Sequence, residues 1–148
     1  MIELIMVVVL LGVLAVFAAP RLFNSNDFNA RGFHDEALSY LRYAQKAAVA
    51  QRRTVCVTFD DTSLTLTLAS AATSTSCNTA LRGPRGDSPA RASARSGVTF
   101  NATPTSFNFD ALGQPVNTAG TALGTQVIQV AGAANAITIE AATGYVHE

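Results

Sequence analysis

Three different spacings of apolar residues follow one another along the chain. Positions 4–19 are apolar without interruption, which for a helix means a surface that seeks burial on every side rather than along one stripe. Further on, Phe33, Ala37, Leu41, Ala44 and Ala48 return at intervals of four, four, three and four, the mark of a helix with a single apolar face. Past residue 53 the period shortens to two. Residues 54–59 and 63–68 read as strands joined by Asp60-Asp61-Thr62, a hairpin in which Leu64, Leu66 and Leu68 point one way and the threonines the other. Residues 69–96 are rich in Ala, Ser and Thr and punctuated by Gly83, Pro84, Gly86 and Pro89, so a long surface loop is expected there. Short strands are expected at 98–100, 106–109, 126–130, 136–139 and 144–146. The fold class that follows is α+β. A long N-terminal α-helix, apolar over 1–23 and amphipathic over 24–53, should pack on a C-terminal antiparallel β-sheet domain at 54–148.

Several residues weaken that helix. Pro20 removes a backbone donor and crowds the turn before it, Gly12 lowers helix preference, and Asn24, Ser25, Asn26, Asp27 and Gly32 are weak helix formers. Loosening is therefore expected between Gly12 and Gly32. Beyond it, Asp35 and Glu36 precede Lys46, Arg52 and Arg53, the order the helix dipole favours. Glu3 stands at the head of the apolar run. An ionised carboxylate beside so much hydrocarbon is costly unless it meets a cation, and the N-terminal amine of another subunit is the natural one. At about 1.5 Å per residue, positions 4–19 rise about 24 Å, short of a hydrocarbon core of roughly 30 Å. A cleaved secretory signal would carry a basic rather than an acidic n-region. An ordinary single-pass anchor explains the run but gives Glu3 no purpose.

The segment Met1-Ile2-Glu3-Leu4-Ile5-Met6-Val7-Val8-Val9-Leu10 resembles the N-terminus of mature type IV pilins and of the pseudopilins of type II secretion. Gly12 and Pro20 stand at the separations from Glu3 where that family places its helix-loosening residues. Two later stretches, 107–115 with Gly113 and 137–146 with Gly144, resemble the strand-turn signatures of pilins related to the H-type minor pseudopilin. The resemblance implies a structural subunit of a type IV pilus-like filament. Monomers would wait in the bacterial inner membrane, held by the apolar helix, and a prepilin peptidase and an assembly platform would bring them into an extracellular helical homo-oligomer. Met1 and Glu3 would be the assembly residues, and the helix would unwind in the filament near Gly12 and Pro20. A minor pseudopilin of a type II secretion filament and a DNA-binding competence pilin are the alternatives. The family commonly has four residues ahead of its glutamate, whereas Met1 and Ile2 alone precede Glu3, so a processed, shortened or misassigned start is expected.

Ten basic and ten acidic residues cancel, so net charge draws the chain to neither nucleic acid nor anionic membrane. Charged residues are sparse at 14%, which suits a surface that packs against copies of itself. Arg82, Arg85, Arg91 and Arg95 crowd the expected loop as a candidate anion or DNA patch, with a solvated or intersubunit salt-bridging loop as the plainer alternative. Asp87 dilutes that patch and the C-terminal Val146-His147-Glu148 is not basic, so nucleic acid is not expected as a partner. Cys56 and Cys77 are too few for a zinc ribbon and too far apart for a C-x-x-C site. On the oxidising side of a membrane they read as one disulfide, which closes a loop of about 20 residues and contributes about 3 kcal/mol; two buried free thiols are the alternative. No cofactor, metal or enzyme activity is expected. His34 and His147 stand far apart, no phosphate-binding or dinucleotide fingerprint occurs, and Asp60-Asp61 reads as a solvated turn. Phe17, Phe23, Phe28, Phe33, Tyr40 and Tyr43 are read as core and interface packing.

Overall fold

The computed structural model describes the backbone of residues 1–22 and 25–148 and the side chains of residues 1–15 and 26–148. The expectations placed on Phe17, Phe23 and Asn24 lie outside the described residues. Two helices come first, α1 (Ile2–Leu22) and α2 (Ser25–Gln51). Gly12 and Pro20 both fall within α1, and Asn26, Asp27 and Gly32 are helical in α2. Weak propensity yields there to tertiary packing, because Ala30, Phe33, Ala37, Leu38, Leu41, Ala44 and Ala48 bury one face of α2. Since α2 starts at Ser25, its first-turn acid is Asp27 and its last turn holds no basic residue. The charge order expected from Asp35, Glu36, Arg52 and Arg53 is therefore not an end effect of this helix. Its C-terminus is closed instead by Arg52 at φ 51°, with the Arg53 N–H donating to the Ala48 carbonyl at 3.2 Å.

Nine strands among the described residues form two antiparallel sheets. They are β1 (Val55–Asp60), β2 (Ser63–Ala69), β3 (Cys77–Ala80), β4 (Ala90–Ser93), β5 (Phe107–Phe109), β6 (Pro115–Val116), β7 (Gln126–Ile128), β8 (Ile137–Ile139) and β9 (Val146–His147). The first sheet has the order β3-β2-β1-β5-β6, with β4 also pairing β2, and the second has the order β7-β8-β9. The expected hairpin is present in register, Val55 opposite Leu68 and Asp60 opposite Ser63. The expected loop at 69–96 is not simply a loop. It supplies β3 and β4, which share the outer edge of β2 end to end, β4 along Ser63 to Leu66 and β3 along Thr67 to Ala69. A seven-residue strand with that edge unpaired would leave backbone donors and acceptors without partners, and these two short segments satisfy them. Of the strand expected at 98–100, Phe100 alone forms a bridge, to Val130.

That bridge joins the sheets. The Asn101 N–H donates to the Gln129 carbonyl at 2.8 Å and the Ala131 N–H to the Thr99 carbonyl at 2.9 Å. One core then runs beneath α2 from Val55, Val57, Leu64 and Leu66 to Val130, Ile137, Ile139 and Val146. Through its middle passes a chain of aromatic rings, Phe33 to Phe100 at 5.1 Å, Phe100 to Phe59 at 5.6 Å and Phe59 to Phe107 at 6.0 Å between centroids. Tilted, edge-on and stacked rings at such separations contribute about 0.5–1.5 kcal/mol per pair beyond their burial.

The turns after β5 and β8 meet under α2. Gly113 has φ +82° and Gly144 φ +64°, and a Cβ on Gly144 would stand 1.7 Å from the Gly113 carbonyl oxygen. Asp110 ties the first turn by accepting from the backbone N–H groups of Leu112 and Gln114 at 2.9 and 2.8 Å. Gln45 of α2 and Gln114 donate to the carbonyls of Thr143 and Ala142 at 2.9 and 2.6 Å. Gly144→Ala must displace backbone and adopt a left-handed conformation, so it should lower stability by at least about 2 kcal/mol. Gly32→Ala, where a Cβ meets nothing within 4 Å, should instead raise it by about 0.5–1 kcal/mol. Denaturant unfolding of the two variants beside the parent chain checks both signs.

Candidate functional site

Glu3 lies in the first turn of α1, where the helix dipole favours a carboxylate. Around and beyond it, every large apolar side chain from Met1 to Leu14 is exposed, Ile2 at 79%, Leu4 at 70% and Leu14 at 64% among them. Soluble monomers rarely present so large an apolar surface, and burying each such side chain is worth about 1.5–3 kcal/mol. Among the described residues no helix is long and apolar enough to cross a membrane. A Cβ on Gly12 would meet nothing within 4 Å.

The four arginines do not converge. Arg85 pairs with Glu36, donates from Nε to the Tyr40 hydroxyl at 3.1 Å and lies 5.5 Å from the Tyr40 ring centre. Arg91 donates to the Ser63 hydroxyl at 2.9 Å and sits 3.9 Å from an Asp60 oxygen. Arg82 offers its carbonyl to Tyr43, and Arg95 lines a separate cleft with Phe28 and Gly32. Asp87, absent from the sequence-based candidates except as a diluting charge, organises this loop. One of its oxygens accepts from the Tyr40 hydroxyl at 3.0 Å and from the Arg91 N–H at 2.7 Å. Burial pushes the Asp87 carboxyl up, but those two donors and the nearby Arg85 charge outweigh it and hold the group below the ordinary carboxylate range. Burial likewise pushes the Tyr40 phenol up. Nothing in the sequence pairs position 40 with position 87; only the helix on the sheet does. Asp60 and Asp61 diverge, Asp60 accepting from Ser63 at 3.1 Å and Asp61 from Thr103.

Cys56 on β1 and Cys77 on β3 are joined in a disulfide, which disposes of the free-thiol alternative. Their strands flank β2, so their Cα atoms in a flat sheet would stand roughly 9.5 Å apart. The observed separation is 6.0 Å, and the register shift of β3 between Leu68 and Ala69 supplies the bend that closes the gap.

The end of the chain is fastened to α2. Arg42 donates from Nε to the Val146 carbonyl at 3.0 Å, and the Tyr145 and His147 rings stack at 5.3 Å. The Glu148 carbonyl lies 3.0 Å from His147 Nδ1 and a Glu140 carboxylate oxygen 3.0 Å from Nε2, and both raise the His147 pKa above its ordinary 6.5. Compared with known proteins, the chain matches no family model, no curated protein and no solved structure.

Two outcomes follow. Non-reducing peptide mapping should recover Cys56 linked to Cys77, and reduction should lower stability by about 3 kcal/mol, read as a fall in thermal midpoint; free thiols alkylated in native protein would contradict it. For His147 the folded pKa is the higher one, so its pairing stabilises fully below about pH 6.5 and is lost as pH rises through the raised value. The stability gap between the parent chain and His147→Gln should therefore close as pH climbs from about 5 to about 9, followed by thermal unfolding.

Proposed function

We propose that the chain is a structural subunit of a type IV pilus-like filament that polymerises through α1. The proposal rests on one observation, an apolar helix exposed all round over its described side chains, with a single carboxylate in its first turn. A helix apolar on one face is satisfied by one neighbour, but this one needs an enclosure. A bundle of copies of α1 supplies it in the filament, and a bilayer supplies it beforehand, the apolar sequence continuing to Ala19. Helix exchange between the two environments costs little apolar burial and needs a register. Glu3 provides that register by pairing with the N-terminal amine of the neighbouring copy, since an unpaired charge in such a bundle is heavily penalised. α1 and α2 then act as one spine, the sheets forming the outer surface and the stretch around Gly12 and Pro20 opening as neighbours shield its backbone.

A minor pseudopilin of a secretion filament is the second reading. The contact between the turns of Gly113 and Gly144 favours it, because it makes one unit of the two segments that resemble the H-type signatures. Abundance in filaments sheared from cells separates the two, a major subunit dominating the mass and a minor one being rare.

Glu3→Ala should leave the sheets folded and the chain in the membrane. Each subunit contact would lose roughly 3–5 kcal/mol as the amine is stranded, so filaments counted per cell should fall by at least about a hundredfold. Parental filament numbers from the variant would overturn the pairing.

A further inference from the structure

A cleft of about 250 Å³ lies where α2 passes the end of β9, lined by Arg31, His34, Asp35, Ala133, Asn135 and Glu148. In it one nitrogen of His34, one oxygen of Asp35 and one of Glu148 lie within 4.8 Å of one another. His34 is 4% exposed, far more buried than its neighbours on the cleft. Its Nδ1 is 3.2 Å from an Asp35 oxygen, while its buried Nε2 has no hydrogen-bond partner among the described residues. A buried polar atom left in that state costs about 1–3 kcal/mol. The Asp35 carboxylate can only accept, so Nδ1–H donates to it, and a cation taking Nδ1 as its ligand would shift that proton to Nε2. Asn135 donates to a Glu148 oxygen at 3.1 Å, which holds that side chain at the cleft.

We infer that this cleft is a binding site for a divalent transition-metal cation, Zn²⁺ fitting best, with His34, Asp35 and Glu148 as ligands. Two carboxylates balance the double charge, and the imidazole selects against Ca²⁺ and Mg²⁺, which want six or more oxygens or a near-complete water shell. Ligand atoms about 2.0–2.2 Å from a tetrahedral zinc stand roughly 3.4 Å apart. The trio must therefore contract by roughly an ångström, and Asp35 and Glu148, both exposed, are able to move. Water takes the fourth position. Arg31 opposes a cation at the same cleft and must swing outward, which makes it a built-in antagonist of binding. The bound metal would clamp the segment after β9 onto α2, independently of whether α1 builds a filament.

The test uses the full chain in detergent, stripped by a chelator and titrated with Zn²⁺ in a calorimeter, and with Co²⁺ followed by its visible absorption. One saturable Zn²⁺ per chain is expected, with a raised thermal midpoint. Asp35→Asn and Glu148→Gln, both surface changes, should each weaken binding at least tenfold, whereas Arg31→Gln should tighten it and His147→Gln should leave it unchanged. Absence of saturable binding by the parent chain overturns the site. So does binding that survives both carboxylate changes, or binding lost only in His147→Gln, since each would put the metal elsewhere.

Discussion

Close approach between α2 and the first sheet is the constraint that the rest of the domain obeys. The helix turns Ala37, Ala44 and Ala48 inward, and β4 presents Ala90 and Ala92, all of them fully buried. Side chains this small bring backbone near backbone, and Leu41, Leu64 and Leu66 fill what remains. Only at that distance does Tyr40 reach Asp87, Gln45 reach Thr143 and Arg42 reach Val146. Each of these contacts ties a different loop to the same helix, so widening the helix–sheet gap would loosen the arginine-bearing segment and both glycine turns together.

The two helices solve opposite problems with neighbouring stretches of sequence. α2 buries one face on its own chain and leaves Glu36, Ser39 and Arg42 toward solvent or the loops. α1 buries none of its described large side chains on the chain it belongs to. Among the described residues the core of the domain takes no side chain from α1. That division of labour is what makes an assembly role coherent with an independently packed sheet domain.

Periodicity made the core legible. The run from Phe33 to Ala48 and the alternating leucines of β2 are buried as their spacing implied, because both elements have one face to hide. The segment between Ala69 and Ser96 was opaque for a related reason. Cys77–Ala80 buries no residue and Ala90–Ser93 buries only Ala90 and Ala92, and four-residue strands of small side chains carry no alternation that stands out from a loop. The apolar head with Glu3 was plain in the sequence, and the cysteines could be paired because there were two. His34, Asp35 and Glu148, by contrast, are joined by no spacing rule. They meet because β9 returns alongside α2, a fact held in the tertiary fold alone. Asp87 was equally silent, a loop carboxylate among arginines whose actual partner is a helix tyrosine.

The disulfide has a mechanical meaning. Cys56 and Cys77 are 21 residues apart, and the whole of β2, the strand that pairs β1, β3 and β4, lies between them. When tension is applied along the polypeptide, it passes from β1 to β3 through the sulfur bridge. The enclosed segment, with roughly 70 Å of contour length, stays slack. A chain pulled at its ends therefore yields only the residues outside the covalent loop, and β2 is shielded from the load for as long as the surroundings remain oxidising.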